Sequence, residues 1–299
     1  MTRKRPLPLE VIIVTQQRYS QLLECVSCIC NNTQKPARLT IVDSSSNRDQ
    51  KTLASISRLC RLHSIQLTLI TIQDLGIAHS RNIGIKSVSS TYFAFVDDDE
   101  YVSENWCRVV CNFFRTNRKY QVLCGPKIPK NSNNYWNQTW ASVIESTFSY
   151  SGLADFFPSG NSCYRTSFVR EHQLLYDERF KRSGEDQAFY FNLMNLGASC
   201  YFSHDLSVRH DCRPSLVPFI KQWFSYGKSI HCFYHLYLSK GETGKKFSSN
   251  SMIKFLLSFY PFRGNRLSIK LLPGLSILNL AFLLGLFFSY FTRKTLPRS

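Results

Sequence analysis

The sequence predicts an α/β protein with a doubly wound, mostly parallel sheet. Short apolar runs alternate with segments of about a dozen residues whose apolar positions recur at helical spacing, which is typical of βαβ units. The predicted strands lie at 11–14, 39–42, 67–72 and 92–96, and the predicted helices at 20–30, 53–60, 77–88 and 106–113. Right-handed crossovers place the strand ends that carry Asp43 and Asp97 at one edge of the sheet.

The second half of the sequence is less regular. Residues 125–161 are rich in Asn, Trp, Tyr and Ser and contain several prolines, which predicts a substrate-facing insertion rather than core. Helical spacing returns after Gly184, with Phe189 and Leu193 on one face. Gly197 is predicted to end this helix in the left-handed backbone conformation.

Residues 271–291 form an uncharged apolar stretch near the end of the sequence. As a helix this stretch would be about 30 Å long, which matches the hydrocarbon core of a bilayer. Pro273, Gly274 and Asn279 leave open whether it spans the bilayer or dips into one leaflet, and basic residues on both sides give no orientation. A buried core helix is the alternative. The sequence predicts membrane attachment through this segment.

The composition is strongly basic, with 37 Lys and Arg residues against 20 Asp and Glu residues. Such an excess indicates a polyanionic partner, which could be nucleic acid, an anionic membrane surface or a phosphorylated substrate. The basic residues are spread along the chain without a long block, so we expect no nucleic-acid partner. The 11 cysteines are scattered, often in apolar runs, which is typical of reduced, buried thiols in a cytosolic domain.

The most informative stretch joins an apolar run at 92–96 to four consecutive carboxylates, Asp97, Asp98, Asp99 and Glu100. The apolar run predicts a strand buried on both faces, and ligands of open α/β sheets bind at the carboxyl ends of such strands. Neighbouring carboxylates raise one another's pKa unless a cation offsets them. A divalent ion with positions left for substrate phosphates would do so. A solvated acidic turn that caps the next helix is the alternative.

Pieces placed along the chain from about residue 11 to residue 227 resemble inverting family 2 glycosyltransferases of the GT-A fold. In chain order they are Thr15, Asp43, Gly76-x-Ala78-x-x-Arg81-Asn82-x-Gly84, the carboxylate run, Trp106, Gly160-Asn161, Gly184-Glu185-Asp186 and His210. Each piece alone is a weak signal, and the resemblance rests on their occurring together in the order typical of the family. It implies a GT-A catalytic domain over residues 1–227 and a helical, membrane-associating region over residues 228–299.

The resemblance implies transfer of a sugar from a nucleotide diphosphate sugar with the help of Mn²⁺ or Mg²⁺. Asp99 is expected to contact the metal, and Asp97 to contact the ribose or sugar of the donor as well as the metal. Asp98 is placed in the same substrate site without a defined role. His210 matches a position that can reach the metal or the diphosphate, and a structural histidine is the alternative.

Other donor contacts are implied by the same resemblance. It places Thr15, Gly160 and Asn161 in the substrate site, and it gives Arg81 a contact to phosphate and Asn82 a polar contact. Solvation on a helix surface is the alternative for the last two residues.

Asp43 would accept a hydrogen bond from the nucleotide base, cap the Ser-rich turn that follows it, or do both. Members of the family often have an aromatic residue shortly after the first strand. The run Val14-Thr15-Gln16-Gln17-Arg18 lacks one. The identity of the base therefore stays open.

Asp186 is the candidate general base, because an inverting transfer needs one carboxylate to take the proton of the acceptor hydroxyl. Glu185 would orient the acceptor, and Trp223 would line an acceptor groove. The alternative for Asp186 is a capping box with Ser183, since an acid in the first turn also suits the helix dipole.

Together these observations predict an inverting glycosyltransferase that adds one sugar to a lipid-linked or polysaccharide acceptor at the cytoplasmic face of a membrane. A single apolar segment argues against a processive synthase, which needs a channel of several helices. One rival is a nucleotidyltransferase acting on sugar phosphates, which normally has a Gly-rich loop where residues 15–18 stand. The other is a non-catalytic, membrane-associated protein of the same fold.

Overall fold

The computed structural model describes residues 7–131, 133–147, 152–153, 159–212, 215–238 and 269–292. Within them the chain forms an eight-stranded main sheet and a three-stranded sheet. The main sheet contains β1 (Leu7–Thr15), β2 (Pro36–Asp43), β3 (Gln66–Thr71), β4 (Tyr92–Phe95), β6 (Val122–Cys124), β8 (Gly152–Leu153), β9 (Ser162–Arg165) and β10 (Cys200–Phe202). The small sheet contains β5 (Glu100–Val102), β7 (Lys127–Pro129) and β11 (Val208–His210).

The main sheet has the strand order β3-β2-β1-β4-β9-β6-β10-β8. Strands β3, β2, β1 and β4 run parallel, and β10 runs parallel to β6. Strand β9 lies antiparallel between β4 and β6, so the sheet is mixed. The small sheet has the order β5-β11-β7 and pairs His210 with Glu100. The predicted α/β fold with a mostly parallel sheet is confirmed.

Helices connect the strands on both faces of the main sheet. They are α1 (Tyr19–Cys30), α2 (Gln50–Leu62), α3 (Ile77–Ser87), α4 (Trp106–Thr116), α5 (Tyr135–Thr147), α6 (Thr166–Glu171), α7 (Glu185–Asn195), α8 (Leu216–Phe233) and α9 (Leu272–Thr292). The four helices predicted after the first four strands are confirmed. Gly197, which follows α7, has the predicted left-handed backbone with a φ of 76°.

The central strands are apolar throughout because both of their faces are covered. Val11 and Ile13 of β1 point into the core beneath α1, α2 and α4, whereas Ile12 points into the core that includes α3 and α7. Phe93 and Ala94 of β4 are divided between the two cores in the same way. A strand that is covered on both faces has no solvent-facing position for a polar side chain, which explains the lack of alternation in the sequence.

The insertion predicted over residues 125–161 contains more regular structure than the sequence suggests. Strand β7 and helix α5 lie within it. The sequence of α5 contains two Thr, two Ser and three aromatic residues, which are only average helix formers. Trp140 and Val143 are buried against α8 and α9, so tertiary packing rather than local propensity stabilises this helix.

The apolar segment predicted at 271–291 is a helix, α9, which packs along α8. A Cβ atom added to Gly227 of α8 would collide with the carbonyl oxygen of Phe282, and one added to Gly285 of α9 would collide with that of Phe224. Among the described helices, α9 alone is long and apolar enough to cross a membrane by length and composition. The predicted domain boundary after Gly227 lies within α8.

Candidate active site

The carboxylate run lies where β4 ends at the carboxyl edge of the main sheet. Asp98 and Glu100 are fully buried, whereas the Asp97 side chain keeps 23% of its surface exposed. The backbone N–H of Glu100 donates to the carbonyl oxygen of Asp97 (3.0 Å), which turns the chain into β5. Buried carboxylates need charged or hydrogen-bonding partners. A solvated acidic turn therefore does not describe this segment.

Asp97 is held by two buried cations. Its carboxylate lies 3.0 Å from Nζ of Lys127 and 3.3 Å from a guanidinium nitrogen of Arg81, and Lys127 also contacts Glu100 at 2.5 Å. Burial acts to raise the pKa of Asp97, but Lys127 and Arg81 outweigh it and hold that pKa well below its usual range. A Cβ atom at Gly160 would collide with the Asp97 carboxylate, so a larger residue there would displace the ion-paired side chains of Asp97, Lys127 and Glu100.

Asp98 and Asp99 share one cation on the other side of the run. The Thr15 hydroxyl donates to Asp98 (2.7 Å), Arg18 contacts Asp98 at 2.5 Å, and the same guanidinium contacts Asp99. Nε2 of His210 lies 3.4 Å from Oδ1 of Asp99.

The two aspartates have opposite pKa shifts. Burial, aided by the charge of Asp99, raises the pKa of Asp98 to about 7 against the opposing effect of Arg18. Burial also acts to raise the pKa of Asp99, but the hydrogen bond and charge of His210, together with Arg18, lower it overall. The surroundings of Asp99 therefore favour its charged form, whereas burial favours the neutral form of Asp98.

His210 is positioned through its ring and through the backbone of the next residue. Its ring stacks on the indole of Trp140 with the centroids 5.1 Å apart and the planes 11° from parallel. The next residue, Asp211, donates its backbone N–H to the carbonyl oxygen of Asp99 (3.0 Å), which fixes β11 against the carboxylate run. Helix α5 thus supplies the aromatic wall behind the His210 imidazole.

Arg81 joins the carboxylate run to the start of α7. This buried side chain on α3 contacts Glu185 at 2.5 Å and Asp97 at 3.3 Å, and its guanidinium lies 5.5 Å from the ring centroid of Tyr176. Burial acts to lower the pKa of Arg81, but Glu185 and the other carboxylates raise it overall, so the charge is kept. Solvation on a helix surface is therefore wrong for Arg81.

Glu185 and Asp186 open helix α7 immediately after Gly184, whose φ of 94° is left-handed. Burial and the charge of Asp186 raise the pKa of Glu185 to about 7 against the opposing effect of Arg81. Burial also raises the pKa of Asp186, whose carboxylate accepts from the backbone N–H of Gln187 (3.0 Å). The N-cap is Gly184 rather than Ser183, so the capping box that was the alternative for Asp186 is not formed.

Comparison with known proteins identifies the family. The profile described as Glycosyl transferase family 2 matches residues 10–177, which is more than half of the chain. The chain belongs to glycosyl transferase family 2. This confirms the resemblance drawn from the sequence, and the protein is a glycosyltransferase.

Two known family relatives align with much of this glycosyltransferase. One is a dolichyl N-acetyl-alpha-D-glucosaminyl phosphate 3-beta-D-2,3-diacetamido-2,3-dideoxy-beta-D-glucuronosyltransferase from Methanococcus voltae, which is 23% identical over 232 residues and covers 73% of this chain and 71% of the relative. The other is an uncharacterized glycosyltransferase from Haemophilus influenzae, 22% identical over 204 residues, with 64% and 61% covered. The chain thus spans less than two thirds of the second relative.

Solved structures confirm the GT-A fold. A crystal structure of S. aureus TarS 1–349 is similar to this chain with a TM-score of 0.56 and 16% identity, covering 96% of this chain and 91% of that fragment. The structure of the same TarS fragment in complex with UDP-GlcNAc has the same TM-score and covers 97% and 93%.

Several residues that the family resemblance assigns to substrate contacts are engaged within the protein. Asp43 is fully buried and accepts hydrogen bonds from the Tyr19 hydroxyl (2.8 Å) and the Ser45 backbone N–H (2.9 Å). The second bond is the predicted cap of the Ser-rich turn. Asn82 donates to the carbonyl oxygen of Tyr176 (2.9 Å) and to Glu178 (2.9 Å). Both side chains order the loops around the site.

Asn161 and Trp223 are also buried in this family 2 enzyme. The indole N–H of Trp106 donates to Asn161 (2.9 Å), which in turn donates to the carbonyl oxygen of Leu206 (2.6 Å). Trp223 is 5% exposed and packs with α5 and α9. Asn161 therefore braces the backbone next to Gly160, and Trp223 lies in an interhelical core.

Sequence reasoning named Arg81 but missed the other two cations that hold the carboxylates, and it missed the aromatic wall of the site. Lys127 and Trp140 both come from the stretch interpreted as an insertion, and Arg18 was considered only as part of a run that departs from the family pattern. The excess of buried carboxylates was the one available signal, because four adjacent acids require several cations close by.

Among the described residues, no group of three or more His, Cys, Asp or Glu side chains is placed to hold a metal ion. Asp99 and His210 are the neighbouring pair with suitable ligand atoms, a carboxylate oxygen and an imidazole nitrogen. Asp97 is turned toward Lys127 and Arg81 instead.

Proposed function

We propose that this glycosyltransferase moves one sugar from a nucleotide diphosphate sugar to a hydroxyl of a lipid-linked or polysaccharide acceptor, with inversion. The observation that carries the proposal is Arg81, which contacts Asp97 on one side and Glu185 on the other. It joins two groups of acids into one cluster. We call the three aspartates after β4 the donor side, and the two acids that open α7 the acceptor side.

The named proteins support the substrate classes. TarS has been solved with UDP-GlcNAc, which supports a nucleotide-sugar donor. The name of the Methanococcus voltae relative describes a dolichyl-linked sugar phosphate, which supports a lipid-linked acceptor.

A divalent metal ion fits the donor side by the chemistry of its ligand atoms. Asp99 and His210 would hold Mn²⁺ or Mg²⁺, with the donor diphosphate filling other positions and Asp97 contacting the ribose or sugar. Such an ion, when bound, would stabilise the negative charge of the departing diphosphate. Arg18 and Lys127 neutralise the remaining carboxylates and hold them in place.

On the acceptor side, Asp186 is the proposed general base. The acceptor oxygen forms the new bond to the anomeric carbon as the bond to the diphosphate breaks on the opposite face, and the hydroxyl proton passes to the Asp186 carboxylate. Burial raises the pKa of Asp186, which makes it a stronger base than an exposed aspartate. Glu185 is engaged by Arg81 and positions that guanidinium between the two sides.

The apolar helix α9 and the basic composition support a membrane location. We place the catalytic domain at the cytosolic face, where nucleotide sugars are made, with residues 228–299 as the membrane-associating region.

A thermal-shift screen of nucleotide sugars with and without Mn²⁺ tests this function. A cognate donor at 100 times its Kd should stabilise the protein by about 2.7 kcal/mol. Release of nucleoside diphosphate on addition of polyprenyl-phosphate-linked sugars would then identify transfer. Pyrophosphate release from a nucleoside triphosphate and a sugar phosphate would instead indicate a nucleotidyltransferase. Donor binding without any release, across a broad panel of acceptors, would indicate a non-catalytic protein.

A further inference from the structure

Helix α9 has one exposed face and one packed face, although it carries no charged residue on either. Its outer face, as we call it, consists of large apolar side chains that are between 39% and 77% exposed. These side chains recur every three or four residues and are Leu280, Leu283, Leu284, Phe287, Phe288 and Phe291. A contiguous apolar stripe of this length on a protein surface marks an interaction site.

The opposite face of α9 is fixed to α8. The close backbone approaches at Gly227 and Gly285 leave no space between the two helices. Farther along, Nδ1 of His231 on α8 lies 3.0 Å from the hydroxyl of Ser289 on α9. Because glycine contacts and a buried polar contact hold them together, α8 and α9 form one tightly packed helix pair.

Helix α8 is in turn attached to the catalytic domain along its whole length. Its first half packs on α5 through Phe219 and Trp223. Its middle contacts the residue before Gly184, where the hydroxyl of Ser183 lies 3.0 Å from that of Ser225. Just beyond its last turn, the Tyr237 hydroxyl donates to Asp177 (2.8 Å). Helix α9 therefore lies alongside the domain and does not project from it.

This arrangement is incompatible with α9 as a membrane span. A spanning α9 would bring α8 into the hydrocarbon, and with it the Ser183–Ser225 contact and the start of α7. Polar backbone and side chains of an irregular loop are not tolerated where lipid surrounds them. We infer that α9 lies in the plane of one leaflet, with its outer face buried in the boundary between headgroups and acyl chains.

The charge distribution indicates that the outer face of α9 binds anionic lipid. From residue 215 to residue 299 the sequence has twelve Lys or Arg residues and a single acid, Glu242. Lys228 on α8 lies with its Nζ 5.4 Å from the ring centroid of Phe288, at the edge of the outer face, and Lys221 is two turns earlier on the same side of α8. Basic residues at the edge of an apolar face bind anionic headgroups. A second copy of this chain, equally basic here, would be repelled.

The in-plane orientation of α9 bears on the class of acceptor, and this step rests on the proposed function. The helix pair contacts Ser183, three residues before Asp186, so an in-plane α9 holds the acceptor side at headgroup level. A sugar-accepting hydroxyl carried on a lipid phosphate lies at that level. The acceptor class favoured by this geometry is therefore a lipid-linked sugar phosphate rather than a soluble polysaccharide.

Flotation with phosphatidylcholine vesicles, with and without phosphatidylglycerol, tests whether the outer face binds anionic lipid. The full chain should float only with the anionic vesicles, and Phe287→Glu should lower partitioning about tenfold or more, since burying one large apolar side chain contributes at least that factor. Leu62→Glu, at an exposed leucine on α2, is the matched control and should bind normally. Equal binding by Phe287→Glu would overturn the inference. Absence of flotation by the unchanged chain would also overturn the inference, because the outer face would then not be bound to lipid.

A second experiment separates an in-plane helix from a span. Protease-cleavable tags at both termini are followed in spheroplasts and in inverted membrane vesicles from a bacterial expression host. Both tags should be protected in spheroplasts and cleaved in inverted vesicles, because both ends lie on the cytosolic side. Tags on opposite sides would show a span and overturn the inference. Neither readout depends on turnover, so a failure of sugar transfer would count against the proposed function alone.

Discussion

The donor and acceptor sides of the site hold their carboxylates in different ways. On the donor side each aspartate contacts a protein cation. Arg18 contacts Asp98 and Asp99. Lys127 and Arg81 contact Asp97. On the acceptor side Arg81 contacts Glu185, and the recorded partner of the Asp186 carboxylate within the described residues is a backbone N–H.

This difference separates two tasks. A group that must stay ionised to bind cations and phosphates gains from fixed positive charges, and such charges lower the pKa values of Asp97 and Asp99, whereas burial outweighs Arg18 at Asp98. A group that must accept a proton works best with a raised pKa, which burial without a paired cation provides. The predictions below test whether the two sides behave as differently as their surroundings suggest.

The largest effect is expected for Asp186→Asn, which keeps the size of the side chain and removes the proton acceptor. Loss of a general base should lower kcat about 10²–10⁴-fold. Donor binding, measured as the Mn²⁺-dependent thermal shift with nucleotide sugar, should be unchanged, because the donor side is intact. Asp205→Asn, at a surface acid away from the site, is the control. Normal turnover by Asp186→Asn would remove that residue from the mechanism.

A smaller effect of a different kind is expected for Asp99→Asn. Removing one charged ligand should weaken Mn²⁺ binding about 10–100-fold, since even indirect partners of metal ligands contribute this much. Titration of Mn²⁺ by electron paramagnetic resonance measures the affinity without turnover. Activity should return in part at high Mn²⁺, which is not expected for Asp186→Asn. An unaltered Mn²⁺ affinity would count against Asp99 as a ligand.

Arg18→Gln should shift the same Mn²⁺ titration in the opposite direction. The Arg18 guanidinium contacts oxygens of both Asp98 and Asp99, so it competes with a metal ion for them. Without it, Mn²⁺ should bind about three- to tenfold more tightly, which is a modest electrostatic change for a partly exposed side chain. Weaker binding would mean that Arg18 orients the carboxylates for the metal instead of competing with it.

The parts of the fold with a strong periodic signal were predicted from the sequence. Strands β1, β2 and β4 were found because both of their faces are buried and apolar, and helices α1, α2 and α4 because they are amphipathic. Strands β9 and β10 have four and three residues and were missed, because so short a run has no period. Helix α5 was missed because its stability comes from packing.

For the site, the sequence indicated which residues lie near one another, but not which way each side chain points. Thr15, Arg81 and Asp99 lie together at the carboxyl edge of the sheet, because they stand at the end of β1, on the first turns of α3 and in the turn after β4. Asp43 and Asn82 come from equally good motif matches, yet they face inward to brace loops. The direction of a side chain depends on neighbours such as Tyr19 and Tyr176, which no local pattern reveals.

The smallest effect, a shift along the pH axis, is the most direct test of how the two sides differ. An ordinary aspartate has a pKa of about 3.9, and burial raises that of Asp186. A base must be ionised to act, so kcat/KM should be constant above the raised pKa and fall about tenfold per pH unit below it. The acid limb should therefore lie at a higher pH than an exposed aspartate would give, and Asp186→Asn should abolish it. Glu185→Gln keeps Asp186 and tests the assignment. A limb that disappears in this variant would belong to Glu185, whose pKa is about 7, and the roles of the two acids would be exchanged.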